Sequence, residues 1–355
     1  METSVSFYTL EKQFALTISR GTFAKNENLW LRIEAEGIEG WGEVSGFSTG
    51  NVTQLTRDLH ILYQQLAPIL QTYSPWQHQA IRAYLADQST PSALQAAIDM
   101  ALYDWRGKRL GVPLWQLWGL SDRLSSPLSV TVGISSPQNA QKRLQAWLDQ
   151  VQTGWIKVKL GNPDGIAADR ALFEALQAIA PPETHFLVDA NGGWSLADAL
   201  EMVDWLADRS VVYVEQPLAV EQEVDLKTLK KWSSLPLFAD ESCWTSQDIP
   251  RLADRVDGIN IKLMKCGGLT EALAMIATAR SFGLQVMLGC YSDSSLSNTA
   301  AAHLGSLVDY LDLDSHLNLS NDPFVGATVQ GTTLRPSAEP GLGVRQKNPS
   351  GHPKG

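Results

Sequence analysis

The pattern of apolar and polar residues changes at about residue 129. Before it, residues 7–19 and 29–44 alternate between apolar and polar side chains, which is typical of strands in a hairpin or meander. Helical periodicity follows at residues 52–70, 76–86 and 91–110, and the last of these is apolar on nearly every side. We therefore predict an α+β domain whose last helix is deeply buried.

After residue 129, short apolar segments alternate with helical patterns of about 10 to 15 residues, which is typical of βα units in a parallel sheet. The expected strands are 129–133, 155–160, 186–189, 211–215, 237–240, 258–262, 285–288 and 310–314. The expected helices between them include 164–180, 196–207, 246–253, 269–282 and 295–307. The chain is therefore predicted to be α/β, a TIM-type (β/α)7β barrel with an N-terminal α+β capping domain.

The same pattern predicts where the domains of the chain begin and end. Residues 1–125 are predicted to form the capping domain, and residues 126–322 the barrel domain with the catalytic strand ends. Residues 323–345, which contain three prolines, are predicted to pack back on the cap as a C-terminal segment. Residues 346–355 are predicted to be a disordered tail.

The composition indicates which partners and which cellular compartment to expect. The 355 residues carry a net charge of −10 and no stripe of basic residues, so nucleic acid is not an expected partner. Three cysteines, none in C-x-x-C spacing, fit a reducing compartment. With no signal peptide or long apolar stretch, we predict a cytoplasmic protein without a membrane partner. An assembly of identical subunits is compatible with the sequence.

Charged residues end several of the predicted strands. Asp189, Glu215 and Asp240 follow apolar runs and are 26 and 25 residues apart, about one βα unit. They should therefore lie at one height on consecutive strands, at the end of the barrel where active sites form. Three clustered carboxylates need a cation, and an all-oxygen site suits Mg²⁺. The alternative is that each carboxylate caps the helix after it.

Lysines are predicted inside the same end of the barrel. Lys157 and Lys159 are two residues apart and face one side of their strand, while Lys262 lies on a strand across the barrel. A lysine that is desolvated or crowded by like charge can serve as a base. The alternative for Lys157 is a solvated strand end.

Two further features concern the last strands. Asp312 and Asp314 are also two residues apart, so an extended strand would place both on one face, where they could hold a substrate ammonium. A helix cap or a second cation is the alternative. Asp293, in the polar loop 289–295, could cap the next helix or support the site.

Together these residues resemble a known family, the dipeptide epimerases of the muconate-lactonising subgroup of the enolase superfamily. The resemblance covers nearly the whole chain. Its landmarks are residues 97–104, Lys157-x-Lys159, Asp189-Ala190-Asn191, Glu215-Gln216-Pro217, Asp240-Glu241-Ser242, Lys262 with Cys266-Gly267-Gly268, and Asp312-Leu313-Asp314.

The resemblance implies roles for these residues. Mg²⁺ would be bound by Asp189, Glu215 and Asp240, and Lys159 and Lys262 would be acid/base groups on opposite faces of the substrate. Lys157 would stabilise the enolate, Asp312 and Asp314 would bind the dipeptide ammonium, and Asn191 and Asp293 would support the site. Cap loops near residues 20–23 and 47–49 would cover the barrel, where Arg20 would favour an acidic substrate side chain and Phe23 an apolar one.

The implied reaction is epimerisation of a dipeptide, such as L-Ala-Glu, at the α-carbon of its C-terminal residue by two-lysine 1,1-proton transfer through an enediolate. An o-succinylbenzoate synthase or cycloisomerase on the same scaffold is an alternative that does not need Asp312 and Asp314. A non-catalytic barrel that serves as a binding protein is an alternative of another class. An acid-sugar dehydratase would be expected to have a histidine on strand seven, and residues 285–293 contain none.

Overall fold

The computed structural model describes residues 1–123 and 126–347. The chain begins with a three-stranded antiparallel sheet in the order β1 (Glu2–Ile18), β2 (Gly21–Ala35) and β3 (Ile38–Ser45). The predicted alternating segment 29–44 is two strands, because Glu36 and Gly37 both have positive φ, 54° and 73°, and reverse the chain in a tight hairpin turn. A short hairpin of β4 (Phe47–Ser48) and β5 (Thr53–Gln54) follows.

Helices cover one face of this sheet. They are α1 (Thr56–Leu70), α2 (His78–Asp87), α3 (Ser92–Leu110) and the short α4 (Leu114–Leu117). Helix α3 is almost entirely buried, as its sequence predicts. It lies so close to β3 that a Cβ added at Gly42 would be 1.9 Å from the carbonyl oxygen of Ala97. The glycines of β3 therefore allow the helix backbone to contact the strand.

Eight parallel strands form the barrel, and the predicted strand positions are confirmed. They are β6 (Val130–Val132), β7 (Trp155–Lys159), β8 (His185–Asp189), β9 (Val211–Glu215), β10 (Leu237–Ala239), β11 (Gly258–Lys262), β12 (Gln285–Gly289) and β13 (Tyr310–Asp312). Each strand pairs with the next along the chain. The sheet closes through a bridge between Leu128 and Leu311 and a hydrogen bond from the Ser129 N–H to the Leu311 carbonyl.

The barrel helices are α5 (Pro137–Gln150), α6 (Ile166–Gln177), α7 (Leu196–Ala207), α8 (Leu226–Trp232), α9 (Ile249–Leu252), α10 (Leu263–Cys266), α11 (Leu269–Ser281) and α12 (Ser295–Ala302). Three predicted helices are shorter than expected. The one at 164–180 covers only Ile166–Gln177. The one at 246–253 begins as a 3₁₀ turn, Ser246–Asp248, before α9. The one at 295–307 ends at Ala302 and resumes as the 3₁₀ turn Gly305–Leu307.

The C-terminal part forms two small hairpin-like pairs and contacts the first sheet. Strand β14 (Phe324–Val325) pairs with β17 (Arg345–Gln346), and β15 (Thr328–Gln330) pairs with β16 (Thr333–Arg335). The Phe324 ring lies edge-on to Trp30 and Trp41, with centroid distances of 5.1 and 5.8 Å. Phe324 therefore contacts the first sheet, while the division of the chain into residues 1–125, 126–322 and 323–345 stays a prediction.

The predicted tail overlaps the described structure only at its start. Gln346 belongs to β17 and is therefore in a strand, and residues 348–355 lie outside the described residues. Within residues 1–123 and 126–347, no helix is both long enough and apolar enough to cross a membrane.

Candidate active site

The register of the barrel brings the three predicted carboxylates together. Lys159 pairs with Asp189 on the next strand, and Asp189 pairs with Glu215 on the strand after it, so these strand ends lie at one height. Asp240 directly follows β10. One oxygen from each of the three carboxylates lies within 4.8 Å of the others.

This cluster fits a hard divalent cation. All three side chains are buried, and burial together with the charge of Asp189 raises the pKa of Glu215 to about 7. The Lys157 Nζ forms an ion pair with the Oε2 of Glu215 at 2.5 Å. Three buried carboxylates so close together repel one another, and they offer the hard oxygen donors that Mg²⁺ prefers.

Two lysines flank the cluster from different strands. The Lys159 Nζ donates to Asp189 at 2.5 Å, and the Lys262 Nζ donates to Asp240 at 2.7 Å. They lie on the second and sixth of eight barrel strands, so they approach from opposite sides, and both line one cavity of about 100 Å³ under the cap. Burial lowers the pKa of Lys262, but Asp240 together with Glu215 and Glu241 raises it well above its usual value.

Lys157 is fully buried, which excludes the alternative of a solvated strand end. Its Nζ donates to the Oδ2 of Asp312 at 2.6 Å and lies 3.7 Å from Asp189. Burial would lower the pKa of Lys157, yet Asp312 and Glu215 raise it well above the ordinary value. Lys157 is therefore a fixed positive charge between the carboxylate cluster and strand eight.

Asp312 and Asp314 do not share one strand face as predicted. Strand β13 ends at Asp312, and Asp314 has helical backbone angles, φ −96° and ψ −7°, so the two-residue alternation does not extend to it. Asp312 is bonded to Lys157 and to the Ser129 hydroxyl at 2.9 Å, while Asp314 accepts from the Thr131 N–H at 2.6 Å. Burial and the charge of Asp312 raise the pKa of Asp314 to about 6.

Asn191 and Gln216 follow two of the clustered carboxylates and have positive φ, 45° and 36°. The Asn191 N–H donates to Asp189 at 2.8 Å, and the Oε1 of Gln216 accepts from the Asp240 N–H at 2.9 Å. Left-handed backbone at residues other than glycine costs free energy and is common at functional sites. Here these turns orient carboxylates of neighbouring strands.

The structure gives Arg20 different partners from those predicted. Its guanidinium lies 2.8 Å from Glu241 and donates to the Asn191 carbonyl at 2.9 Å, so the cap is tied to the barrel here. Burial lowers the pKa of Arg20, but Glu241 together with Asp240 and Asp189 raises it above its usual value. Arg20 lines the cavity, but its charge is already paired with a carboxylate. Phe23 also lines the cavity.

Asp293 is not the cap of the helix that follows it. Ser294 is the N-cap of α12, and its hydroxyl accepts a hydrogen bond from the Leu296 N–H at 3.1 Å. The Asp293 carboxylate instead accepts from the Tyr291 N–H within its own loop, at 3.2 Å, and burial raises its pKa to about 6. Its contacts therefore support the loop after strand seven.

Three residues at the site were given no role from the sequence. Asn260 donates to Glu215 at 2.7 Å, and Lys265 donates to Asp240 at 2.7 Å. The Tyr291 ring lies 4.6 Å from the Lys262 Nζ. A signal existed for Asn260, because it is polar and two residues before Lys262 on an otherwise apolar strand. No local pattern distinguishes Lys265 or Tyr291 from ordinary loop residues.

Two family models together match most of the chain. The "Mandelate racemase / muconate lactonizing enzyme, N-terminal domain" matches residues 3–119, and the "Enolase C-terminal domain-like" model matches residues 139–349. These matches correspond to the antiparallel cap and to the barrel with its C-terminal strands.

Individual relatives are similar over nearly their whole lengths. A hydrophobic dipeptide epimerase of Roseobacter litoralis is 45% identical over 96% of this chain and 98% of its own, and one from a Flavobacteria bacterium is 42% identical over 96% of each. A solved dipeptide epimerase of Enterococcus faecalis, in complex with Mg and L-Leu-L-Tyr, has a TM-score of 0.88 at 28% identity, covering 97% of this chain and 98% of that one. The chain therefore belongs to the enolase superfamily, in the dipeptide epimerase family of its muconate-lactonising subgroup.

Proposed function

We propose that this protein epimerises dipeptides at the α-carbon of the C-terminal residue, with Mg²⁺ bound by Asp189, Glu215 and Asp240. The observation that carries the proposal is the placement of Lys159 and Lys262 on opposite sides of one cavity beside these carboxylates. A 1,1-proton transfer that inverts a carbon needs an acid/base group on each face of that carbon. A binding protein would not need two lysines in this arrangement.

The side chains at the site have different roles in the proton transfer. Mg²⁺, when bound, supplies positive charge that stabilises the negative charge developing on the substrate carboxylate. The neutral lysine on one face takes the α-proton as the C–H bond breaks, and the electron pair moves into the carboxylate to give an enediolate. The protonated lysine on the other face then gives its proton to the carbon. Lys157, buried and charged, adds to the stabilisation of that anion.

The amino terminus of the dipeptide is assigned to the end of strand eight. Asp312 and Asp314 are buried there, and in the order of the barrel strands the eighth lies opposite the strands that carry Asp189, Glu215 and Asp240. A peptide unit adds about 3.8 Å between α-carbons, which a free amino acid lacks. Because Asp312 is already bonded to Lys157, we assign Asp314 as the main partner of the substrate ammonium and Asp312 as shared between that ammonium and Lys157.

The cavity supports an apolar substrate side chain. Leu16, Ile18, Phe23 and Phe47 line it, and the one arginine in its wall, Arg20, is bonded to Glu241. An acidic side chain would have to compete with Glu241 for that guanidinium and would lie among apolar groups, which is unfavourable for a charge. Both curated relatives described above are named hydrophobic dipeptide epimerases, which supports this choice over the predicted acidic one.

The test is incubation in D₂O with Mg²⁺ of an apolar dipeptide, L-alanyl-L-glutamate, the N-acetylated form of each, and the o-succinylbenzoate precursor. Mass spectrometry follows deuterium at the α-carbon, and NMR follows inversion. We expect the apolar dipeptide to have the highest kcat/KM and its N-acetylated form to lose most of that value. If acetylation changes nothing, or the precursor is dehydrated far faster than any dipeptide is epimerised, the dipeptide assignment is wrong and the synthase assignment replaces it.

A further inference from the structure

A buried carboxylate at the interface of cap and barrel has no part in the chemistry above. Glu43, on β3, is fully buried. From the cap it accepts hydrogen bonds from the Tyr8 hydroxyl and from the Asn28 Nδ2, the latter at 2.7 Å. From the barrel it accepts bonds from the Ser294 hydroxyl at 2.8 Å and from the N–H groups of Ser294 and Ser297 at 3.1 and 3.2 Å.

The barrel partners of Glu43 are at the N-terminus of helix α12. The first N–H groups of a helix have no partner inside the helix, and a negative charge there is favourable. Ser294 is the N-cap of α12, and Ser297 lies in its first turn. A cap strand therefore supplies the carboxylate that fixes the start of a barrel helix.

The loop just before this helix is also held by the cap. The carbonyl of Ser292 accepts from the Asn28 Nδ2 at 3.0 Å and from the Ser45 hydroxyl at 3.3 Å. The Ser292 hydroxyl accepts from the Lys12 Nζ at 2.9 Å. Residues 290–294 are thus bonded to three cap strands.

This loop carries Tyr291 into the proposed active site. Its ring stacks on Phe47 of the cap, with centroids 4.5 Å apart and an interplanar angle of 7°. The Lys262 Nζ lies 4.6 Å from the centroid of the same ring. A displacement of the loop would therefore move a contact of Lys262. Each lysine also has a carboxylate partner on the barrel, Asp240 for Lys262 and Asp189 for Lys159, so the Tyr291 ring is the contact of Lys262 that depends on the cap.

We infer that Glu43 is a positioning residue for the epimerisation: from the cap it holds the loop 290–294 so that Tyr291 keeps the ammonium of Lys262 in place. The inference rests on the proposed function, and it predicts a one-sided defect. Deuterium exchange from the epimer whose α-proton faces Lys262 should depend on Glu43 more than exchange from the other epimer.

The experiment compares Glu43→Gln with wild type. The substituted amide would keep the shape of the side chain but place an N–H donor against donors of α12, so we expect kcat to fall by roughly tenfold to a hundredfold. Initial exchange rates in D₂O are measured separately for the two epimers of one dipeptide. We expect the Lys262-side rate to fall several-fold more than the other, and Glu43→Asp, which retains the charge, to lie between Glu43→Gln and wild type.

Asp99→Asn is the matched control. Asp99 is also a buried cap carboxylate that accepts from the start of a barrel helix, from the Thr270 N–H at 3.0 Å and hydroxyl at 2.6 Å, but it does not line the cavity. We expect this variant to lower Tm without changing the ratio of the two exchange rates. If Glu43→Gln does not fold, Ser294→Ala, which removes one bond to Glu43, is expected to give a smaller shift of the ratio in the same direction.

The possible outcomes distinguish the positioning role of Glu43 from the proposed epimerase function. A folded Glu43→Gln or Ser294→Ala protein that slows both epimers equally would overturn the positioning role and leave Glu43 a structural residue. A wild-type protein that inverts no dipeptide would instead refute the proposed function.

Discussion

At the scale of single residues, the site is a network in which each lysine is paired with one or more carboxylates. Lys159 contacts Asp189, Lys262 contacts Asp240, and Lys157 links Glu215 to Asp312. Buried ionic groups are costly unless paired, so these contacts fix each ammonium at one position. Because the two flanking lysines are fixed on opposite sides of the cavity, each is assigned to one face of the substrate.

We predict that Lys159→Ala and Lys262→Ala each abolish epimerisation, because either change leaves one face of the α-carbon without an acid/base group. Each variant should still exchange the α-proton of one epimer, and the two variants should retain opposite epimers. Deuterium uptake by mass spectrometry measures this, with Lys227→Ala on the exposed surface as control. Epimerisation at the wild-type rate in Lys262→Ala would show that the two-base mechanism is wrong.

A second residue-scale prediction concerns stability in acid. His303 is buried between the Trp115 N–H and the Leu342 carbonyl, and burial lowers its pKa from 6.5 to about 4. The unfolded chain therefore binds a proton below pH 6.5 that the folded chain binds only near pH 4, so stability is lost as pH falls across this range. Between about pH 7.5 and 5, one such histidine lowers the free energy of unfolding by about 2 kcal/mol.

Urea unfolding of wild type and His303→Gln at about pH 7.5 and 5 measures the effect. The variant should be less stable at the higher pH but should lose less stability on acidification, because glutamine does not titrate. An equal loss in both proteins would show that His303 does not carry this pH dependence.

At the scale of elements, the cap depends on close contact between helix α3 and strand β3. A Cβ at Gly42 would lie 1.9 Å from the Ala97 carbonyl oxygen and one at Gly40 would lie 2.2 Å from that of Ala101. These are backbone atoms, which cannot move aside as a flexible side chain can. The two glycines therefore set the distance between the elements, beyond their effect on the local strand.

We predict that Gly42→Ala destabilises the protein by at least the roughly 1 to 3 kcal/mol typical of overpacking, because α3 would have to move away from β3. Gly154→Ala is the control, since the nearest atom to its added Cβ is 3.6 Å away, an ordinary contact. Thermal unfolding of both variants measures the difference. A Tm for Gly42→Ala equal to that of Gly154→Ala would contradict the close packing described here.

At the scale of the whole molecule, cap and barrel are joined by buried carboxylates of the cap. Glu43 and Asp99 accept N–H groups from the starts of α12 and α11, and Asp104 accepts the Leu342 N–H of the C-terminal segment at 2.8 Å. A cationic link adds to these, because Arg20 of the cap bonds to Glu241 of the barrel. The cavity lies between these contacts, so the cap loops and the strand ends are held together as one site.

Mg²⁺ should stabilise this whole arrangement. The folded protein gathers Asp189, Glu215 and Asp240 within one coordination shell and the unfolded chain does not, so the ion binds the folded state selectively. Free Mg²⁺ at about one hundred times its Kd should add about 2.7 kcal/mol to the free energy of unfolding. We expect Tm to rise with Mg²⁺ and to return with excess EDTA, and turnover to stop in EDTA.

Glu215→Gln serves as the comparison for the metal experiment, because it removes one anionic ligand and preserves side-chain size. Its Tm should respond little to Mg²⁺. Full turnover of the wild type in excess EDTA would refute the metal assignment, and an equal Tm response in the variant would exclude Glu215 as a ligand.

Local patterns in the sequence were enough to predict the order of elements and the residues at the strand ends. Side-chain periodicity depends only on local geometry, so it predicted the eight barrel strands, the buried helix α3 and the even spacing of Asp189, Glu215 and Asp240. The two-residue spacing of Lys157 and Lys159 likewise placed both side chains inside the barrel, because both lie within one extended strand.

Other features depend on contacts between residues distant in the chain, and these emerged only from the folded arrangement. Asp314 lies off the strand face because a 3₁₀ helix begins directly after it. The closed barrel places Asp312 beside Lys157. Arg20 pairs with Glu241 and Glu43 with the start of α12, both across the interface of cap and barrel. No local periodicity encodes such pairings, since they arise only when the packing of two domains brings buried charges to their partners.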